Sequence, residues 1–88
     1  MKLHELKTWP PFFQDIKDEK KTFDVRPDDR NFKVGDYLLL WEWNPDAEDY
    51  TGREILVEIV YKVPGGQFGI MDGFCVLGIM VSNEDGSS

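Results

Sequence analysis

An alternation of polar and apolar residues between Thr22 and Arg26 predicts a short strand. The period of two places Asp24 and Arg26 on one face and Phe23 and Val25 on the other. Pro27 and the acidic residues that follow it are typical of a turn that ends such a strand. An acid and a guanidinium are therefore expected to lie side by side.

Four further segments have the pattern of strands: Leu3–Lys7, Tyr37–Trp43, Arg53–Val63 and Phe74–Val81. The second is apolar on both faces as far as Trp41, which predicts burial on both sides, and it is expected to pair with the third as a hairpin. In the third, alternation predicts that Val57, Ile59 and Tyr61 share one face. The last is apolar throughout, so we expect it inside the sheet.

One short helix is predicted between the first strand and Thr22. Pro11 suits a first helical turn, where its missing N–H is not needed. Phe12, Phe13 and Ile16 then recur at spacings of three and four residues, which predicts that all three cover the core from one helical face.

These elements predict a mainly β (α+β) fold. We expect a small mixed barrel of about five to six strands with one short N-terminal helix, because closure hides the edges of such apolar strands. A chain of 88 residues is long enough for one domain, assigned to residues 1–81. The polar residues 82–88 are expected to form a disordered tail.

Composition narrows the function classes. A formal net charge of −7 argues against a protein that wraps duplex DNA through a large basic excess. One cysteine, Cys75, and one histidine, His4, argue against a disulfide, a multi-cysteine metal site and a histidine-based zinc site. No metal and no cofactor are expected. With no apolar leader and no membrane-length apolar run, the sequence predicts a soluble, cytoplasmic protein.

The pattern Lys21-x-x-Asp24-x-Arg26 resembles the Gly-x-Lys-x-x-Glu-x-Arg signature of ASCH domains, which belong to the PUA-like β-barrels. The resemblance extends to about Ile79 and points to a small branch of bacterial and phage proteins described as RNA-binding. It implies a barrel fold and an RNA or nucleotide-like ligand. Glu19 stands where the signature has glycine, and Asp24 stands where it has glutamate. A turn before the strand must therefore form without the residue best suited to positive φ.

The resemblance also implies a ligand cleft near the motif. Five residues are candidates to line it: Lys21, Asp24, Arg26, Arg30 and Trp43. In that cleft the cations would recognise a phosphate or a base edge, while Trp43 would stack on a base. Trp41 is expected in the core. The alternative interpretation of Lys21, Asp24 and Arg26 is a structural set of ion pairs on one strand face.

Two other functions remain open from the sequence. Some ASCH relatives are amidohydrolases that act on an acylated cytidine, and in that case Lys21, Asp24 and His4 are the candidate catalytic residues. A lone histidine beside a glutamate is more often structural, and this is the alternative for His4. The third possibility is an accessory domain that binds a protein partner through its acidic face.

Overall fold

The computed structural model describes residues 1–82 and contains five strands and one helix. In chain order these are β1 (Leu3–Thr8), α1 (Pro10–Lys17), β2 (Phe23–Pro27), β3 (Tyr37–Asn44), β4 (Asp49–Pro64) and β5 (Phe74–Val81). The predicted mainly β fold with one early helix is confirmed. The predicted tail lies outside the described residues except for Ser82, whose N–H donates to Leu56 O.

All five strands form one curled sheet, a half-barrel in the order β1-β3-β4-β5-β2. β1 pairs with β3 in parallel, and the other neighbours are antiparallel, including the predicted β3–β4 hairpin. β5 lies inside the sheet between β4 and β2, as expected from its apolar sequence. The order leaves β1 and β2 as the two edge strands, so the half-barrel is not closed by backbone pairing.

The core fills the concave side of the half-barrel. It is built from one face of each of four strands, together with Ile16 of α1 and Phe32, and its largest strand residues are Leu38, Leu40, Ile59 and Leu77. In α1, Phe13 and Ile16 are buried, whereas Phe12 is 48% exposed. Successive helical residues lie about 100° apart, so an eight-residue helix does not bury two adjacent phenylalanines equally. The prediction that Phe12 also faces the core was wrong.

Two strands differ from the sequence prediction. In β3 only Leu38, Leu40 and Glu42 are fully buried, while Trp41 on the opposite face is half-buried, so burial on both sides was wrong. In β4 a register shift between Ile59 and Tyr61 interrupts the alternation. Such a bulge adds one residue to a strand and exchanges its faces, which leaves Tyr61 66% exposed.

The turn from α1 to β2 is tight and fixes the start of the motif strand. Glu19, at the position of the signature glycine, has a φ of 60°, so the turn uses a left-handed residue although that residue is not glycine. The N–H groups of Lys20 and Lys21 both donate to Asp15 O at the end of the helix. Within residues 1–82, no helix has the length and apolar character to cross a membrane.

Candidate functional site

The polar face of β2 points inward. Asp24 is 7% exposed and Arg26 is half-buried, whereas Phe23 and Val25 are 47% and 52% exposed. The predicted alternation is therefore present, but the apolar residues lie on the outer face. Among the described strands β2 has one neighbour, β5, and its inner face borders the gap that separates it from β1.

Asp24 links the two cations of the motif. Its Oδ1 accepts from Lys21 Nζ at 3.1 Å, and its Oδ2 accepts from Arg26 Nε at 2.7 Å. Lys21 Nζ also donates to Phe23 O at 2.7 Å. A buried carboxylate with two charge-assisted partners is well satisfied, and it fixes the orientation of both cations.

Arg26 reaches from β2 to the other edge of the sheet. Its Nη2 donates to Lys7 O at 2.7 Å and to Thr8 Oγ1 at 3.3 Å, both at the end of β1. The guanidinium thus closes the half-barrel at one point, where backbone pairing does not. The ion pairs of the motif have the structural role that was one of the two interpretations from the sequence.

An open cleft of about 450 Å³ lies between the edge of β2 and the chain that connects β1 to α1. One wall carries Trp9 and Phe12, and the other carries Lys21, Phe23 and Val25. Because Asp24 and Arg26 from the inner face of β2 line the cleft as well as Phe23 and Val25 from the outer face, the cleft runs along the strand edge. We call it the aromatic cleft; Lys7, Asp24 and Arg26 also line it.

A second open cleft, of about 710 Å³, also borders Lys7 and Arg26. Its other lining side chains include Glu5, Arg30, Trp41 and Tyr50, and we call it the cationic cleft. Arg30 Nη1 donates to Glu5 O at 3.1 Å, and Trp41 Nε1 donates to Glu5 Oε1 at 3.1 Å. These two contacts hold an arginine and an indole at one site.

Aromatic side chains extend the cationic cleft along the hairpin. The ring of Tyr50 packs edge-on against Trp41 and Trp43, with centroid distances of 6.2 and 5.0 Å. Lys7 Nζ lies 3.9 Å from the Trp43 ring centroid, within cation–π distance. Trp43 itself supports this wall and does not line either cleft.

Four of the five predicted ligand residues are divided between the two clefts, and Trp43 lines neither. Lys21 and Asp24 line the aromatic cleft, Arg30 lines the cationic cleft, and Arg26 lines both. Trp41, which was expected in the core, lies in the cationic cleft instead, because it occupies the outer face of β3.

Lys7 and Tyr50 were missed as lining residues. Lys7 comes beside Trp41 only through the parallel β1–β3 register, and Tyr50 comes beside Trp43 only through the hairpin register. The periodic pattern within one segment does not show with which residues of another strand it pairs, so neither contact could be predicted from it. The clearest sequence feature that could have pointed to this site was Lys7, a cation at the end of the first predicted strand.

His4 is held away from both clefts. Its Nε2 lies 3.0 Å from Asp36 Oδ2, and its ring packs edge-on against Phe32 at 4.8 Å between centroids. The bond from His4, with those from the backbone N–H groups of Lys2 and Lys33, lowers the pKa of Asp36 from 3.8 to about 2. His4 and Asp36 thus join β1 to the loop before β3, which matches the structural alternative for His4.

Metal-ligating side chains do not cluster in the part of the chain that the structure describes: no group of three or more His, Cys, Asp or Glu there is arranged to hold an ion. Cys75 is fully buried in β5, opposite Arg26 of β2 in the strand register. Burial raises the pKa of its thiol, as in a small core residue and unlike a reactive nucleophile.

Comparison with known proteins places the chain in a family. A family model described as Domain of unknown function (DUF3850) matches residues 3–79, so the chain belongs to that family. A protein of Escherichia phage P2, the uncharacterized 12.9 kDa protein in GpA 3'region, is 36% identical over 58 residues. The match covers 66% of this chain and 51% of the phage protein, so the chain spans about half the length of that relative.

Proposed function

We propose that this member of the DUF3850 family binds single-stranded RNA or a nucleotide-like ligand at the clefts beside Arg26. The observation that carries the proposal is the combination of Arg30, Lys7 and Trp41 around one open cavity. Sites for single-stranded nucleic acid combine cations with adjacent aromatic rings, because the cations contact the phosphates and the rings stack on the bases.

The charge balance of the cationic cleft favours an anionic ligand. Lys7, Arg26 and Arg30 line it together with a single acid, Glu5, although the chain as a whole carries a net charge of −7. Glu5 Oε1 already accepts from the Trp41 indole. The small number of cations limits the ligand to a few phosphate contacts, so we expect weak and salt-sensitive binding.

Aromatic groups supply the second part of the recognition. Trp41 and Tyr50 line the cationic cleft, and Trp43 packs behind them against Tyr50 and Lys7. Trp41 is held in place by its indole bond to Glu5, so less side-chain freedom is lost when a base stacks on it. RNA recognition favours unpaired bases that stack on such rings over duplex grooves.

Within this proposal, Lys21 and Asp24 act mainly by positioning Arg26. Asp24 binds Arg26 Nε and leaves the far end of the guanidinium at the junction of the two clefts. The resemblance of this motif to ASCH domains supports the same class of ligand, and membership of the PUA-like barrels is part of the proposal. We also propose that the protein is cytoplasmic, where RNA is accessible.

The amidohydrolase alternative has less support. It requires Lys21 to activate a nucleophile, yet among the described residues the hydrogen bonds of Lys21 Nζ go to Phe23 O and Asp24 Oδ1. His4, the other candidate for proton transfer, is bound to Asp36 and does not line either cleft. For the alternative of an acidic protein-binding face, Glu42 is not available, because it is buried and accepts a hydrogen bond from Thr51. The neighbouring acids Asp46, Glu48, Asp49 and Glu54 are exposed, so this face stays the third candidate.

The direct test is the affinity for a fluorescein-labelled single-stranded oligoribonucleotide of mixed sequence, measured by anisotropy at low salt. Arg30→Ala is the informative variant, because the side chain is exposed and its loss removes one hydrogen bond to Glu5 O. We expect it to weaken binding by about tenfold, the cost of one charge-assisted phosphate contact. Lys17→Ala, which removes an exposed charge at the end of α1, is the matched control. Equal affinity of both variants would contradict the proposal.

A further inference from the structure

The two clefts meet at a common ridge, which is formed by Lys7 and Arg26. Lys7 and Arg26 line both of them, and Arg26 Nη2 donates to Lys7 O across the boundary. Each cleft offers exposed or half-buried aromatic rings beyond the ridge: Trp9 and Phe12 on one side, and Trp41 on the other. The arrangement is therefore cation-rich in the middle and aromatic at both ends.

The aromatic cleft is unusually apolar for a free surface. Trp9, Phe12 and Phe23 are about half exposed, and the rings of Phe12 and Phe23 are close to one ammonium group. Lys21 Nζ lies 4.8 Å from the Phe23 ring centroid and 5.7 Å from that of Phe12. Contiguous exposed aromatic groups of this kind mark interaction sites. The occupant must combine an apolar or aromatic part with a negative charge.

An added peptide strand fits this cleft poorly. Thr22 O accepts from Ile79 N–H and Asp28 N–H donates to Gly73 O, so even-numbered residues of β2 direct their backbone towards β5. The open edge is therefore formed by Phe23, Val25 and Pro27. Phe23 O is occupied by Lys21 Nζ, and proline has no N–H to donate. An edge with these gaps is a weak template for strand addition.

A second copy of the chain also fits poorly. Two-fold pairing along β2 would bring two copies of the cleft, each lined by Lys7, Lys21 and Arg26, to one interface. Asp24 neutralises part of this charge, but it is buried and is already bound by Lys21 and Arg26. The occupant that remains is a flat aromatic group attached to an anion. Its aromatic part can stack on the rings of the cleft, and its negative charge can pair with the cations of the ridge.

We infer that the aromatic cleft is a second base-binding site, and that the ligand is a single strand with at least two adjacent bases that spans the ridge. One base stacks in the cationic cleft on Trp41, the linking phosphate lies at Lys7 and Arg26, and the next base stacks on Trp9 or Phe12. The inference rests on the proposed function and specifies its ligand as an oligonucleotide, not a mononucleotide.

The test compares adenosine monophosphate with the dinucleotide ApA and an adenosine hexamer, by isothermal titration at low salt. Stacking of one further base is worth about tenfold in affinity, so ApA should bind at least that much more tightly than the mononucleotide. Phe12→Ala and Trp9→Ala should each weaken ApA binding by about five- to tenfold, so that the advantage of ApA over the mononucleotide is largely lost. Phe68→Ala removes an exposed phenylalanine that lines neither cleft and serves as the matched control.

The outcomes separate the two proposals. If Arg30→Ala weakens binding but Phe12→Ala and Trp9→Ala match Phe68→Ala, the second base site is wrong and the proposed function stands. If mononucleotide and dinucleotide bind equally, the two-base ligand is likewise wrong. Absence of binding for all three probes would overturn both. Circular dichroism of each variant, compared with the unsubstituted chain, confirms that the exposed substitutions leave the fold intact.

Discussion

Arg26 Nη2 donates to Lys7 O at 2.7 Å and so joins the two edge strands of the curled sheet. The same arginine is oriented by Asp24 through Nε, and it lines both clefts. One side chain thus closes the half-barrel and supplies charge at the centre of the candidate site. Stability and ligand binding are therefore coupled at this residue, and the variants that test them must be chosen to separate the two.

Arg26→Ala is expected to lower the free energy of unfolding by about 2–4 kcal/mol. The substitution removes the bonds to Lys7 O and Thr8 Oγ1, and it leaves the buried Asp24 with Lys21 as its remaining ion-pair partner. Urea unfolding, followed by tryptophan fluorescence, measures the change. Arg30→Ala is the control, because it removes one exposed bond to a carbonyl and should cost about 1 kcal/mol or less. Equal losses for the two variants would show that Arg26 does not close the sheet.

Lowering the pH is expected to reduce the free energy of unfolding through protonation of Asp36. Its pKa is lowered to about 2 in the folded state, chiefly by the hydrogen bond from His4, so its contribution is complete above about pH 4. That contribution is lost as the pH falls from about 4 to about 2, because the unfolded chain takes up the proton first. The difference in unfolding free energy between the unsubstituted chain and Asp36→Asn should therefore shrink over this range. A difference that is constant from pH 5 to pH 2.5 would contradict the role of this carboxylate.

Binding of a single-stranded oligonucleotide should depend weakly but measurably on salt. For single strands the slope of log K against log salt is about −0.7 for each neutralised phosphate, so one phosphate at Lys7 and Arg26 and a second at Arg30 predict a slope of about −1.4. Arg30→Ala should reduce the magnitude of this slope by about 0.7, whereas Lys17→Ala should leave it unchanged. A slope near zero in the unsubstituted chain would rule out phosphate recognition by these cations.

The alternation of residues 22–26 was sufficient to predict that Asp24 and Arg26 share a face. It was insufficient to predict that this face is the inner one, because the pattern within a strand does not show which strands lie at the edges of a sheet. Arg26 is tolerated inside because it reaches carbonyl and hydroxyl acceptors on β1, which is 18 or 19 residues away in sequence. That partnership exists only after the sheet has curled.

Trp41 and Tyr61 illustrate a second limit. Trp41 was expected in the core and Tyr61 on the same face as Val57 and Ile59, but Trp41 faces the cationic cleft and Tyr61 is exposed. For Tyr61 the cause is the bulge after Ile59, which exchanges the faces of the remaining strand. For Trp41 the cause is that the core covers only one face of β3. The even-numbered residues Leu38, Leu40 and Glu42 lie on that face, and the residues between them, including Trp41, are half-buried on the other.

The most direct test of the proposed site is a titration of the ¹⁵N-labelled protein with ApA, followed by the three tryptophan indole signals. The Nε1–H of Trp41 is bonded to Glu5 Oε1 at the cationic cleft, and Trp9 lies in the aromatic cleft. We predict that both indole signals shift with one common affinity, and that Phe12→Ala weakens this affinity. Indole signals that stay unmoved while the dinucleotide is in excess, or shifts confined to residues outside both clefts, would contradict the account.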